Sequence, residues 1–434
     1  MKFYSTNNRS LTVDLRQAVT EGLAPDNGLY MPVEIPRLSN EFFKGIANKS
    51  FRDIGFEVAR NLLEGDVPHS ELKKIVDHTI QFDAPLVKLE NDVFALELFH
   101  GPTLAFKDFG ARFMSQLLGY FASQQGREII ILVATSGDTG SAVANGFLGV
   151  PGIQVVVLYP SGKVSEIQEK QFTTLQQNIT ALEVAGTFDD CQRLVKEAFL
   201  DAELRRKYFL TSANSINIAR LIPQSFYYFH AYAQLRDNVR PVVFSIPSGN
   251  FGNMTAGLFA KRMGLPVHRF VASTNINDIV PAYLRTGTFN PRTSSSTISN
   301  AMDVGNPSNF SRMLELFNGN YGTLSEEIKG YSFTDEQTAE AMRNVYASSN
   351  YILDPHGAVG YIGLKRYLDE SDENVTGIFL ETAHPSKFKE VVEEKLGKGI
   401  DIHPTLKEFM KRQKETIKGT ADFSAFKEFL LNRF

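Results

Sequence analysis

Residues 128–140 read EIIILVATSGDTG, an apolar, β-branched run that ends in small hydroxyl residues and glycine. The same succession returns at 153–165 (IQVVVLYPSGKVS), 241–253 (PVVFSIPSGNFGN) and 375–385 (VTGIFLETAHP). Continuous apolar runs are typical of parallel strands buried on both faces, and the helical patterns between them supply the crossovers. We therefore predict an α/β fold with core strands at Glu128–Ala134, Ile153–Leu158, Val242–Ile246 and Gly377–Leu380.

The other patterns divide the chain into three parts. The start of the chain carries amphipathic helix patterns at Phe51–Glu64 and Glu71–Ile80 and no strong buried strand. We predict two parallel-sheet α/β domains preceded by a helical subdomain, with bounds at 1–95 (N-terminal subdomain), 96–235 (first α/β domain) and 236–434 (second α/β domain).

Two further segments have distinctive compositions. Thr286 to Asn309 is rich in Thr, Ser, Asn and Pro, which predicts a surface loop that is mobile above a site. The end of the chain returns to helix, with an apolar stripe for core or subunit contact formed by Phe423, Phe426, Leu430 and Phe434.

The composition favours small-molecule chemistry. Lys and Arg number 45 against 49 Asp and Glu, and the net charge of -4 gives no general attraction to nucleic acid or anionic lipid. The apolar runs are far shorter than the roughly 20 residues that span a bilayer. The start, MKFYSTNNRS, has no secretory pattern, and the single cysteine, Cys191, cannot form an intrachain disulfide, so we expect a cytoplasmic protein with a packing thiol.

The stretch 100–110, HGPTLAFKDFG, places Lys107 after the apolar pair Ala105 and Phe106, at the expected start of a helix near Asp108. Desolvation disfavours the ammonium form of a lysine and lowers its pKa, which a lysine needs to attack an aldehyde. The alternative for this stretch alone is a solvated surface lysine.

The stretch SIPSGNFGNMTAG, residues 245–257, ends a strand at Ile246 and opens a helix near Asn253. Glycines let a backbone approach phosphate closely, and the free amides at a helix start bind its charge. No lysine follows in the manner of a P-loop, so a phosphate that serves as a permanent handle fits better than one being transferred. The alternative is glycine for steric reasons only.

The stretch ATSGDTGSA also follows a strand and opens a helix. Its hydroxyls and amides are candidates to bind a carboxylate. The alternative is a helix cap in which Asp138 or Thr139 satisfies the free amides. The candidate substrate-binding residues here are Thr135, Ser136, Gly137 and Thr139.

These three motifs together resemble the fold-type II pyridoxal-phosphate family, and within it the threonine synthases of the bacterial and fungal type. The segments GLAPDNGLYMP (22–32), NSINIARLIPQ (214–224), NAMDVGNPSN (300–309) and TAHPSKF (382–388) are similar to the same family, so the likeness spans nearly the whole chain. The resemblance implies pyridoxal 5'-phosphate as cofactor and O-phosphohomoserine as substrate. We expect no metal, and a monomer or homodimer.

Carried over residue by residue, the resemblance makes Lys107 the Schiff-base lysine and Thr382 the partner of the pyridine nitrogen. A hydroxyl cannot hold that nitrogen protonated as a carboxylate would, which suits elimination and replacement better than transamination. The cradle of the cofactor phosphate would be Gly249, Asn250, Phe251, Gly252 and Asn253.

Asp138 departs from the wider family, in which cysteine synthase carries an asparagine facing the phenolic oxygen of the cofactor, but resembles the threonine synthase form. An aspartate beside a phenolate is repulsive unless one of them holds a proton. The contact of Asp138 therefore stays open.

The substrate's own phosphate needs a second cationic site. Lys163, in YPSGKVSEIQ, is the first candidate, and Arg220, with Asn214, Ser215 and Asn217, is the second. The histidines near the motifs are expected to be structural, and no pair has zinc spacing. They are His100, His356 and His384.

Two alternatives remain on the sequence. One is another fold-type II enzyme, a threonine or serine dehydratase or a β-replacement synthase, against which Asp138 and the N-terminal stretch argue. The other is a non-catalytic relative that binds pyridoxal phosphate or a phosphorylated ligand, against which the retention of Lys107 and all loops argues.

Overall fold

The computed structural model describes residues 1–125, 128–236 and 240–434. The strands in these residues are β1 (Lys2–Ser5), β2 (Asn8–Asp14), β3 (Tyr30–Pro32), β4 (Leu86–Glu90), β5 (Val93–Glu97), β6 (Ile129–Ala134), β7 (Ile153–Pro160), β8 (Ile179–Ala185), β9 (Phe209–Thr211), β10 (Val242–Pro247), β11 (Val267–Thr274), β12 (Ile328–Ser332), β13 (Thr376–Glu381) and β14 (Ile417–Thr420). The four predicted core strands are confirmed as β6, β7, β10 and β13, with ends that differ by one or two residues.

The helices of the described residues cover these strands and connect them. They are α1 (Leu15–Glu21), α2 (Asn40–Gly45), α3 (Phe51–Leu63), α4 (His69–Thr79), α5 (Lys107–Gln125), α6 (Asp138–Phe147), α7 (Glu166–Thr173), α8 (Phe188–Leu200), α9 (Ala202–Lys207), α10 (Ile218–Leu221), α11 (Phe226–Gln234), α12 (Gly252–Arg262), α13 (Ile279–Thr286), α14 (Phe310–Leu316), α15 (Tyr321–Glu327), α16 (Asp335–Ser349), α17 (Pro355–Glu370), α18 (Lys389–Leu396), α19 (Pro404–Lys411) and α20 (Phe423–Arg433).

Two parallel sheets form the body of the fold, which confirms the predicted class. The first has five strands in the order β14-β8-β7-β6-β9, and its pairings are all parallel. Every residue of β6 is buried, because helices cover both faces of the sheet. The second has six strands in the order β12-β11-β10-β13-β5-β4, and only β4 runs antiparallel, against β5.

The beginning of the chain contains more than helices. Strands β1, β2 and β3 form a small antiparallel sheet in the order β2-β1-β3, and β3 is fully buried. The sequence did not predict these strands because they are short and polar residues interrupt their apolar pattern.

The sheets also cross the predicted domain bounds, which stay a prediction. The hairpin of β4 and β5 belongs to the six-stranded sheet, although most of it precedes residue 96. Strand β14 leaves the second domain and pairs with β8 in the first sheet. Both differences arise because chain segments join sheets according to the available edges, which local patterns do not reveal.

At the other end of the chain, α20 buries Phe426 and Leu430 of the predicted apolar stripe against the five-stranded sheet region, together with the buried thiol of Cys191. Burial raises the pKa of Cys191 to about 12, which keeps it a packing thiol. Within the described residues, no helix combines the length and apolar character needed to cross a bilayer.

Candidate active site

Lys107 is the first residue of α5 and has a largely buried side chain, 16% exposed. Its Nζ lies 3.5 Å from Oδ2 of Asp138, the first residue of α6. Burial lowers the pKa of Lys107, and the charges of Lys387 and Arg220 add to this, against the opposing effect of Asp138. A lysine in this setting gives up its proton more readily than a surface lysine.

A short ladder joins the segment before Lys107 to the segment after β13. The amide of Phe106 donates to the carbonyl of Thr382 at 2.9 Å, and the amide of His384 donates to the carbonyl of Leu104 at 3.1 Å. Leu104 adopts the left-handed conformation, with φ of 58°, which is rare for a branched residue. The ladder thus brings together two motifs that lie far apart in the sequence.

Asp138 has a second lysine that sequence reasoning missed. Nζ of Lys387 lies 2.8 Å from Oδ1 of Asp138, and Gln168 Nε2 donates to the same oxygen at 2.8 Å. Burial alone would raise the pKa of Asp138, but the charges of Lys387 and Lys107 hold it far below its usual range. Lys387 lies in the quoted stretch TAHPSKF, yet nothing local marks it as buried.

The loop between β6 and α6 is held by Thr135. Its Oγ1 accepts from the amides of Gly137 at 3.0 Å and Gly140 at 2.8 Å, so Thr135, rather than Asp138 or Thr139, satisfies free amides at the start of α6. Ser136 is exposed and Thr139 is half-buried. Their hydroxyl groups are therefore free to face a ligand, whereas the Thr135 hydroxyl is already hydrogen-bonded within its own loop.

The loop between β10 and α12 has the form of an anion cradle. Its residue before the helix, Phe251, is left-handed with φ of 60°. In the described part of the chain, no acceptor is assigned to the backbone amides of Gly249 to Asn253. A Cβ on Gly249 would lie 2.8 Å from the carbonyl oxygen of Ala301 and from Cα of Met302. Free amides at a helix start are suited to phosphate, so these residues fit the phosphate of pyridoxal phosphate.

The asparagine side chains of this loop are used to fix it. Asn250 donates to Ser215 Oγ at 2.5 Å and accepts from the amide of Ser308 at 2.6 Å. Asn253 Nδ2 donates to the carbonyl of Pro247 at 2.8 Å. The backbone, rather than these side chains, is therefore what the loop offers to an anion.

The structure separates the two candidates for the substrate phosphate. Lys163 is exposed on the turn after β7. Arg220 is buried on α10, donates to the carbonyl of Ala213, and is near enough to Lys107 to affect its pKa. Burial lowers the pKa of Arg220 to about 10, and among the described residues its Nε has no hydrogen-bond acceptor. Of the neighbours named with Arg220, Asn217 caps α10, Ser215 binds Asn250, and Asn214 lies in the preceding turn.

The polar segment 286–309 differs between its two halves. Its first half is mostly exposed, as predicted for a surface loop. Its second half is anchored, because Asp303 accepts from Thr297 at 2.8 Å and from Asn275 at 2.9 Å, and Ser308 binds Asn250. The half that packs on the cradle is therefore held in place by hydrogen bonds.

The three histidines near the motifs have structural partners. His100 lies 2.8 Å from Glu97, and buried His356 lies 2.6 Å from Asp354. Burial lowers the pKa of His384 to about 4, so its ring is neutral at pH 7. Among the residues that the structure describes, no group of three or more His, Cys, Asp or Glu residues could hold a metal ion.

A buried lysine and an anion cradle, each placed by a turn beyond the carboxyl end of a parallel strand, are the features of a fold-type II pyridoxal-phosphate enzyme. Comparison with known proteins agrees with this class. The model of the family described as pyridoxal-phosphate dependent enzyme matches residues 79–380. Models of the threonine synthase N terminus and C-terminal region match residues 2–80 and 357–430.

Individual relatives narrow the class further. Threonine synthase of Haemophilus influenzae is 46% identical over 99% of this chain and 100% of its own length. The crystal structure of threonine synthase from Escherichia coli is 43% identical with a TM-score of 0.92, and the alignment covers 100% of both chains. The pyridoxal-phosphate-bound threonine synthase from Brucella melitensis is 32% identical with a TM-score of 0.93, over 100% of this chain and 99% of its own. The chain belongs to the threonine synthase family, and its cofactor is pyridoxal phosphate.

Proposed function

We propose that this chain converts O-phosphohomoserine and water into threonine and inorganic phosphate, with Lys107 as the group that moves protons. The observation that carries this proposal is the buried Nζ of Lys107, 3.5 Å from the carboxylate of Asp138 and held in a segment laddered to Thr382. The assignment of each residue below rests on the same contacts and on the family resemblance.

The cofactor, when bound, supplies an aldehyde that joins an amine and a ring that takes up the charge left by a departing proton. The residues proposed to hold it are the Gly249–Asn253 amides for its phosphate and the Thr382 hydroxyl for its ring nitrogen. Thr382 is buried. Because its side chain has no hydrogen-bond partner among the described residues, its hydroxyl is available for that contact.

Lys107 Nζ acts as the base. Lys107 Nζ would accept the proton from the α-carbon of the substrate, and burial favours the neutral amine that this role needs. Loss of a β-proton then expels the γ-phosphate as its C–O bond breaks. The γ-carbon takes a proton, the hydroxyl of water adds at the β-carbon, and a proton returns to the α-carbon. The two protons removed from the substrate are thus replaced at its α- and γ-carbons, and the remaining proton of water goes to the released phosphate.

The substrate has two anionic groups to be held. The hydroxyls of exposed Ser136 and half-buried Thr139, with the Gly137 backbone, are the proposed site for its carboxylate. For its phosphate we retain Lys163 and Arg220 as candidates, and the nearness of Arg220 to Lys107 favours Arg220. We also retain a cytoplasmic location and a monomer or homodimer as proposals.

The test is a phosphate-release assay with O-phosphohomoserine, run beside threonine and serine deamination on the same preparation. We expect phosphate release with threonine as co-product, and deamination as a slow side reaction. Faster deamination than phosphate release would replace the proposal with a dehydratase.

A further inference from the structure

The side chain of Lys387 is wholly buried, at 0% exposure, and is not part of the base, the cradle or the substrate site described above. Its Nζ donates to the carbonyl of Thr103 at 2.7 Å and pairs with Asp138 Oδ1 at 2.8 Å. Thr103 lies in the turn before α5, which begins at Lys107, and Asp138 opens α6. Lys387 therefore ties together three segments that meet at Lys107.

Thr103, which accepts the hydrogen bond from Lys387, is itself held by further hydrogen bonds. The amide and hydroxyl of Thr103 donate to Asp108 at 2.9 and 2.6 Å, and Gln171 Nε2 donates to the Thr103 carbonyl at 3.1 Å. Because Asp108 follows Lys107 directly on α5, the carbonyl that receives Lys387 moves with the start of that helix. The ammonium of Lys387 thus has a fixed position relative to Lys107.

The two oxygens of Asp138 serve different cations. Oδ1 is taken by Lys387 and Gln168, while Oδ2 faces Lys107 at the longer distance of 3.5 Å. In a buried site a carboxylate with a single lysine partner would form a full ion pair with it and keep it protonated. With Lys387 in place, the negative charge of Asp138 is already paired.

We propose that Lys387 is a positioning residue that acts through Asp138: it takes up the charge of this carboxylate, so that Asp138 orients Lys107 without holding a proton on it. This role rests on the proposed function, in which Lys107 must be an unprotonated amine. It also explains why an aspartate is tolerated beside a phenolic oxygen of the cofactor, because Asp138 and Lys387 together form a neutral pair.

The other charged groups around the pair do not replace Lys387. Arg220 faces Lys107 from α10, and His356 faces Asp138 from α17, but His356 is bound to Asp354. Asp108 is bound by Thr103, and burial raises its pKa. Among the described groups, Lys387 is the cation nearest to Asp138, at 2.8 Å against 3.5 Å for Lys107.

The experiment measures protonation of Lys107 directly, in the full-length protein freed of cofactor, by competitive acetylation over a range of pH with peptide mapping. Lys387→Met should raise the midpoint of Lys107 labelling by about one pH unit or more, because Asp138 is left with Lys107 as its lysine partner. In an Asp138→Asn background the same Lys387→Met change should shift the midpoint much less. Lys170→Met is the control, since Lys170 donates to the carbonyls of Met410 and Arg412 outside the site, and it should leave the midpoint unchanged.

An unchanged midpoint in Lys387→Met, or equal shifts with and without Asp138, would overturn the proposal. The double variant removes the charges of Lys387 and Asp138 together, so it keeps the comparison open where Lys387→Met alone folds poorly. On the holoenzyme, the pH at which the visible absorption of the lysine-bound cofactor is lost should move in the same directions. Because neither readout uses the substrate, a failed phosphate-release assay and a failed role for Lys387 are distinguishable.

Discussion

The amide of Phe106 donates to the carbonyl of Thr382 at 2.9 Å, which fixes the residue before the lysine to the residue proposed to face the cofactor's ring nitrogen. The bridge between Ala105 and Ala383 extends the contact by one residue on each segment. The backbone thus sets the positions of Lys107 and Thr382, which are proposed to face opposite ends of the cofactor. A side-chain substitution at either residue leaves this backbone contact in place.

Lys107→Ala should therefore preserve the fold and abolish the chemistry. We expect phosphate release to fall by roughly three orders of magnitude or more, because nucleophile and base are lost together. Borohydride reduction followed by peptide mapping should place the cofactor on Lys107 in the unchanged protein. Label on a different lysine, or near-normal turnover of the variant, would contradict the assignment.

Gly249→Ala should weaken cofactor binding by about ten-fold or more, because the added methyl meets the backbone at 2.8 Å and displaces the cradle. Equilibrium binding of pyridoxal phosphate, followed by absorbance, is the measurement. Gly45→Ala is the matched control, since a Cβ at Gly45 has nothing within 4 Å. Equal affinities of the two variants for pyridoxal phosphate would show that this loop does not bind the cofactor phosphate.

The substrate phosphate provides a test of Arg220 against Lys163. A lost charge-assisted hydrogen bond is worth about 1.5–3 kcal/mol, so removing the residue that binds this phosphate should lower kcat/KM by about ten- to a hundred-fold. We expect this fall in kcat/KM for Arg220→Lys, which keeps a charge in the buried site but loses the guanidinium. We expect a smaller fall for Lys163→Ala. Threonine deamination should change little in either variant. A larger effect at Lys163 would reverse the order of the candidates.

Arg312 is a buried structural cation. It donates to the carbonyls of Tyr30 at 3.0 Å and Ile216 at 2.7 Å and to Asn309 at 2.8 Å, and burial lowers its pKa to about 9. Arg312→Leu should lower the free energy of unfolding by about 3 kcal/mol or more, since it orphans several buried acceptors. Arg366→Leu, which breaks an exposed pair with Glu370, should cost about 0–1 kcal/mol. Urea unfolding compares them, and similar losses would show that Arg312 is dispensable.

The pair of Lys414 and Glu183 predicts a pH dependence. The hydrogen bond from Ser161 and the charge of Lys414, 3.0 Å away, lower the pKa of Glu183 to about 2. Its stabilising effect is present above its ordinary pKa and is lost as the pH falls toward that lower value. Lys414→Met should therefore lower the urea midpoint at pH 7 and lower it less at about pH 3.

Lys196→Met is the control for this prediction, because Lys196 is exposed on α8 and no carboxylate of the described residues forms an ion pair with it. It should leave the urea midpoint nearly unchanged at both values of pH. A Lys414→Met effect that stays constant with pH would show that the pair contributes through packing alone.

The sequence predicted what local patterns encode and missed what depends on distant contacts. The four core strands and the starts of α5, α6 and α12 follow from apolar runs and glycine turns, and the resemblance placed Lys107 and Thr382 in motifs that do meet. Lys387 could not be found in this way, since its burial depends on Thr103 and Asp138.

The same limit explains the smaller differences in the fold. Strand β14 has an exposed, polar pattern that gives no signal of a partner. The engagement of Thr135 by its own loop follows from backbone turns that glycine permits but that composition does not specify.

The pairing of β14 with β8 has a consequence for how the protein is made. One edge of the five-stranded sheet is completed by residues 417–420, which are synthesised well after the other strands of this sheet. Until then β8 presents unpaired amides and carbonyls beside the apolar side chains of Leu182 and Val184, an arrangement that recruits other strands. A nascent or truncated chain that lacks this segment should therefore self-associate, and residues 417–420 protect the sheet edge once they have paired with β8.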